Sequence, residues 1–151
     1  MKNDRFLTVI LLVIALLVLA SLSVFFLKQD RAVYFSEDLP EHIVHNYILA
    51  IEKGEYARAY GYLAEKEKKP DYDDFEAFFL LGDRRTGYKI GKSTITADTA
   101  YVEVTIMRNS GGFFFDRYDY IETARLLKEN GEWKLIQMPY IYWGWEWYKE
   151  E

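Results

Sequence analysis

The sequence contains no cysteine, which excludes disulfides, thiolate zinc sites and a lipidated cysteine behind a lipoprotein signal. That absence fits either side of a membrane. Histidine is nearly missing, with two in 151 residues. Clustered positive charge is lacking as well. Setting aside Lys2, Arg5 and Asp4 leaves 17 basic and 23 acidic residues, a net charge of about −6. A domain of that balance is a poor partner for phosphate backbones, so no nucleic acid is expected. What the chain has in quantity is aromatic: 13 Tyr, 10 Phe and 4 Trp. These rings bury large areas from few residues and allow a small domain a substantial core.

From residue 6 to residue 27 the chain carries no charge, and a helix of that length spans about 33 Å at 1.5 Å per residue. It is long enough to cross a bilayer. A cleaved signal peptide could also start with Lys2 and Arg5 and use Ser21, Leu22 and Ser23 as its small-residue site. Val24 to Leu27 nevertheless extend the apolar run past that site and Lys28 closes it, as in a stop-transfer pattern. The expectation is a retained anchor: residues 1–31 form the tail, membrane span and linker, and 32–151 one domain. Lys28 and Arg31 nearly balance Lys2 and Arg5, so charge barely decides orientation. A short N-terminus followed at once by an apolar helix argues for a cytoplasmic N-terminus and an extracytoplasmic domain.

Beyond the anchor, Ser36, early acids and Pro40 suit a helix start. A helix over 39–53 places Val44, Tyr47, Ile48 and Ile51 on one stripe, with Ile43 beside it, and Gly54 ends it. A second over 55–68 groups Tyr56, Ala59, Tyr60 and Leu63, and Pro70 stops it. A third, to residue 81, carries Phe75, Phe78 and Phe79 ahead of Gly82. The period then becomes two. Strands are expected over 88–96, 100–108, 114–128 and 132–142, with turns at 109–112 and at Asn130 and Gly131. Three helices followed by consecutive strands describe an α+β domain with helices packed on one face of an antiparallel sheet.

Two stretches carry a resemblance. The junction Ala50, Ile51, Glu52, Lys53, Gly54, Glu55, Tyr56, Ala57, Arg58, Ala59, Tyr60 resembles the link between the first two helices of the ketosteroid-isomerase-like superfamily, also called the nuclear-transport-factor-like or cystatin-like cone fold. Glu132, Trp133, Lys134 and Leu135, after Asn130 and Gly131, are similar to its last strand. The resemblance covers about residues 36–142. It implies a curved antiparallel sheet wrapped into a cone, and is strongest to bacterial membrane-anchored or lipoprotein domains that are mostly non-enzymatic. The superfamily hosts isomerases, dehydratases, transport factors and inert modules, so function has to come from a site.

Candidate sites are few. His42 and His45 lie about 160° and about 100° from Val44 on the helical wheel. They flank the core stripe, and a metal site would need a further ligand, so they read as surface histidines with no metal or cofactor. An isomerase-like or small-molecule site would need a carboxylate or tyrosine inside the cone. Tyr101, Glu103, Tyr120 and Glu122 are the residues that would line a cavity, although alternating Tyr, Glu and Thr equally suits a solvated sheet face. No catalytic residue is assigned. Asp71, Tyr72, Asp73 and Asp74 lack the glycine and distal glutamate of a calcium loop and read as acids at a helix start. Arg84 and Arg85 are too short a run for a polyanion site.

The most unusual segment is the end. Tyr140, Tyr142, Trp143, Trp145 and Trp147 crowd ten residues, and the three tryptophans share one strand parity. If extended, this tail displays a ribbon of indoles for a protein partner, a second copy of the chain, a glycan or the membrane interface; the bland alternative packs it back on the domain. Phe113, Phe114 and Phe115 at a hairpin tip would join that patch if exposed. The leading expectation is a membrane-anchored extracytoplasmic interaction module without catalysis, and the rival is a small-molecule carrier or isomerase- or dehydratase-type enzyme.

Overall fold

The computed structural model describes residues 3–29, 33–82, 86–109 and 117–149. Arg84, Arg85 and Phe113 to Phe115 fall outside them. The chain separates into two units, Met1–Val33 and Tyr34–Glu151. The first is a single helix, α1 (Asn3–Gln29), whose stretch Phe6–Ser23 is long and apolar enough to cross a membrane and is solvent-exposed along its length. That property is shared by membrane spans and signal sequences.

The second unit is α+β. Helices α2 (Pro40–Glu52), α3 (Tyr56–Gly61) and α4 (Tyr72–Leu80) precede strands β1 (Gly87–Thr96), β2 (Thr99–Asn109), β3 (Arg117–Glu129) and β4 (Glu132–Gln137). The strands form one antiparallel sheet in chain order. Asn130 and Gly131, both at positive φ, make the two-residue turn between β3 and β4. The pairing shifts between Ile90 and Ser93 on β1 and between Arg125 and Leu126 on β3. Extra residues on one strand of a pair bend it and sharpen the twist, curling the sheet around the helices.

The expected stripes are where the core lies. Ile43, Val44, Tyr47, Ile48 and Ile51 of α2 pack with Phe75 and Phe79 of α4 against Val102, Val104, Ile106, Ala124, Leu126 and Leu135 of the sheet. Tyr47, Phe75 and Tyr142 are among the largest fully buried side chains, so the inside of the cone is occupied by rings. Asp71 occupies the N-cap position of α4, and Asp73 and Asp74 lie in its first turn.

Three boundaries differ from the sequence reading. The N-cap of α2 is Leu39, not Ser36, whose hydroxyl instead donates to the Asp38 carboxylate at 2.6 Å. Helix α3 stops at Gly61 because the chain leaves to pair with β4: Ala64 N–H donates to Leu135 O and Leu135 N–H to Tyr62 O, at 3.0 and 2.8 Å. Strand β4 ends at Gln137, two residues before Pro139, which has no N–H to continue a ladder.

The entry to α2 is fastened by a residue that periodicity does not single out. Asn46 is fully buried among apolar neighbours. Its side-chain oxygen accepts from Phe35 N–H at 2.8 Å and its amide donates to Phe35 O at 3.0 Å, so one side chain satisfies both backbone groups of the incoming segment. Asn46→Ala should therefore cost about 1–3 kcal/mol, because two partly buried backbone groups lose their partner. The measurement is the urea midpoint of the full chain, expected to fall with little change in m.

Candidate functional site

After Pro139 the chain makes a short 3-10 turn at Tyr140–Tyr142. Tyr142 is buried, and the hydroxyl of Tyr47 donates to its carbonyl at 2.8 Å. Trp143 is 7% exposed and lies 6.4 Å from the Tyr47 ring. The chain then closes on itself at Gly144: Trp147 N–H donates to Gly144 O, and Tyr148 N–H and Oη donate to Lys68 O and Ala64 O in the segment before α4. Trp147 lands among Phe75, Phe78, Phe79 and Trp143, with ring centroids 5.3, 5.1, 6.2 and 5.2 Å away. Tyr148 stacks on Trp143 at 5.6 Å, and burial pushes its hydroxyl above the usual tyrosine range.

Of the two readings of the tail, the structure takes the one that packs it back on the domain, as a folded strap. Tyr142 and Trp143 are core, Trp147 is half-buried on α4, and Trp145 alone of the three tail tryptophans stands out, at 73% exposed. The cause is the pair of breaks at Pro139 and Gly144, which cancels strand parity. Tyr140 is also exposed; its ring stacks on Tyr120 at 6.1 Å, its hydroxyl meets Tyr120 Oη at 3.1 Å, and its N–H donates to the Glu122 carboxylate at 3.0 Å.

The four residues expected together in a cavity divide between the two faces of the sheet. Tyr101 and Glu103 stand opposite Arg125 and Thr123, on the outer face. Tyr120 and Glu122 stand opposite Ile106 and Val104, on the helix side, because directly paired residues share a face. There both contact Tyr140, and Glu122 also lines the open groove described below. The histidines lie at the edge of the domain. His42 Nδ1 meets Ser36 O at 3.0 Å, and His45 packs against Phe35 at 4.5 Å and meets Tyr88 Oη at 3.4 Å. Among the described residues no group of three His, Asp or Glu is arranged to hold a metal ion.

Two concave features stand out among the described residues. An open groove of about 1210 Å³ runs beside the strap, with Trp145 and Tyr140 on its rim and Lys66, Arg125, Gln137 and Lys149 among its lining. The Lys149 ammonium sits 4.1 Å from the Trp145 ring centroid, a cation–π contact. A smaller cleft of about 370 Å³ is bounded by Ile51, Glu52, Tyr56, Phe79, Thr86 and Tyr142. Although part of Glu52 meets solvent, burial holds its carboxyl above the usual glutamate range. Burial and the Glu52 charge both raise the neighbouring Tyr88 hydroxyl. Thr86 Oγ1 is buried with no hydrogen-bond partner among the described residues. Sequence periodicity could not find this cleft, since Glu52 reads as the exposed end of a helix.

No family model matches the sequence, and neither does any curated protein. Solved structures do match. A SEC-C motif containing protein from Rhodopseudomonas palustris superposes with a TM-score of 0.50 at 15% identity, over 67% of this chain and 77% of that one. A calcium/calmodulin-dependent protein kinase type II association domain from Thiobacillus denitrificans gives 0.49 at 16%, over 64% and 88%. An NTF2-like transpeptidase from Campylobacter jejuni gives 0.43 at 18%, over 64% and 95%. The domain shares with the first of these its fold, α+β with helices beside a curved antiparallel sheet. At these identities the likeness concerns the fold alone, and the site has to be argued from this chain.

Two substitutions test the geometry. A Cβ added at Gly144 would lie 2.4 Å from Trp147 Cε2, so Gly144→Ala must displace an indole wedged into an aromatic cluster. The expected cost is about 1–3 kcal/mol, with a red shift of tryptophan emission as Trp147 moves toward water. For Glu52, a carboxyl pKa raised by folding means that the native state holds its proton longer than the unfolded chain. Its contribution is intact below the ordinary glutamate pKa and lost as pH rises through the folded value. Glu52→Gln should abolish that decline, making the variant the more stable protein at neutral pH; unfolding titrations at several pH values measure it.

Proposed function

We propose that the chain is a single-pass membrane protein whose cone domain stands on the extracytoplasmic side and acts as a binding module without catalysis. The supporting observation is the contrast between an interior occupied by Tyr47, Phe75 and Tyr142 and a large open groove rimmed by Trp145 and Tyr140. An exposed indole costs hydration free energy that a bound partner recovers. Helix α1 supplies the tether in this reading: residues 6–27 span the bilayer, and Lys28 closes the span. The partner seats in the groove, whether it is another protein, a second copy of the chain or a glycan.

The cleft at Glu52 motivates a second reading, in which the domain carries a small molecule or performs proton-transfer chemistry. A carboxyl with a raised pKa beside tyrosine hydroxyls is the kind of group such chemistry uses. A ligand that binds the parent chain and not Glu52→Gln would carry that reading, and binding indifferent to Glu52 would remove it.

Topology is directly testable because the chain has no cysteine of its own. Lys92→Cys on the exposed part of β1 should react with a membrane-impermeant maleimide in intact cells, and Lys2→Cys only after lysis. Labelling of both in intact cells, or release of the labelled domain into the medium, would overturn the anchored orientation.

A further inference from the structure

Resting on the second reading, in which the cleft at Glu52 holds a small molecule, we infer that this cleft takes a primary ammonium on an apolar body, an alkyl- or arylalkylamine. The first observation is the composition of the lining. Ile51 and Glu52 come from the end of α2, Tyr56 from the start of α3, Phe79 from α4, Thr86 from the residue ahead of β1 and Tyr142 from the strap. Glu52 is the one charged residue among the described residues that line the cleft. Three electron-rich rings and a carboxyl, with no cation among them, are the surroundings that organic cations favour.

The second observation is that the carboxyl is unmatched. Glu52 makes no hydrogen bond and no ion pair among the described residues. Its sequence neighbour Lys53 is engaged elsewhere, with its ammonium 4.9 Å from the centre of the Tyr34 ring. Burial accordingly holds the Glu52 carboxyl above the usual glutamate range, with no neighbouring cation to bring it back. A partly buried charge without a partner is unfavourable, and an incoming ammonium supplies the missing counter-charge. The ammonium has three N–H donors. Thr86 Oγ1, buried and without a partner among the described residues, is a second acceptor beside the carboxylate.

The third observation is size. At about 370 Å³ the cleft falls within the usual range of about 300–1,000 Å³ for small-molecule pockets. It suits one small molecule, whose apolar body meets Ile51 and Phe79, 7% and 4% exposed. A carboxylate ligand would set its charge against that of Glu52, and a neutral one would leave the Glu52 charge unmatched.

The test titrates the full chain, held in nanodiscs of zwitterionic lipid, with phenethylammonium, and follows the heat after subtracting empty nanodiscs. Phenethyl alcohol, neutral and of nearly the same shape, and the anion hydrocinnamate are titrated in the same way. Phenethylammonium should bind at least tenfold more tightly than the alcohol, and hydrocinnamate most weakly. Salt should weaken the ammonium and leave the alcohol unchanged. Glu52→Gln keeps the side-chain shape and should bring the ammonium down to the affinity of the alcohol, while Thr86→Val should weaken it severalfold. Arg84 and Arg85 precede Thr86 in sequence and would favour hydrocinnamate if they governed the field of the cleft, so the anion is the deciding comparison. If hydrocinnamate or the alcohol binds as tightly as the ammonium and Glu52→Gln alters that binding, the cleft is a small-molecule site of different chemistry and only the ammonium assignment falls. If none of the three binds, or binding is indifferent to Glu52→Gln, the small-molecule reading falls with it.

Discussion

One hydrogen bond organises the far end of the domain. Tyr47, buried in the middle of α2, donates to the carbonyl of Tyr142, 95 residues later in sequence. An unpaired phenol or carbonyl would be expensive at that depth, so each group fixes the other. The bond sets where the chain emerges from the sheet and aims Trp143 at the Tyr47 ring. It also places Gly144 where the strap must turn back. Trp147 then reaches the phenylalanines of α4, and Tyr148 reaches the segment that precedes it. These contacts pin the strap to α4 and the segment before it and leave Trp145 exposed. The groove is a by-product of that closure: its floor is the same strap whose underside is core.

That origin explains why the aromatic tail has two chemistries. Aromatic pairs add about 0.5–1.5 kcal/mol each beyond the area they bury, and Trp147 makes four such contacts. The strap is thus rigid at the points where the groove needs rigidity. Ligands that stack on Trp145 would meet a ring whose backbone is already ordered, and preordering lowers the entropic cost of binding. The same logic disfavours the cone interior as a ligand chamber, because Tyr47, Phe75 and Tyr142 already fill it. The cleft at Glu52 escapes the filling.

Much of the fold was legible. Apolar residues three and four apart located α2 and α4, alternation located β2, and Asn130 with Gly131 located the last hairpin, because each signal is local and each residue's own neighbours enforce it. Several of the failures were non-local. Helix α3 ends early because residues 62–64 find hydrogen bonds on β4, a partner some seventy positions away. Tyr101 and Tyr120 could not be assigned to faces, since strand pairing, not spacing along one strand, decides which residues share a side. Asn46 sits inside an apolar stripe and serves Phe35, which no period reveals. The tail stayed open between two readings for a local reason: parity holds only while the backbone stays extended, and Pro139 and Gly144 interrupt it.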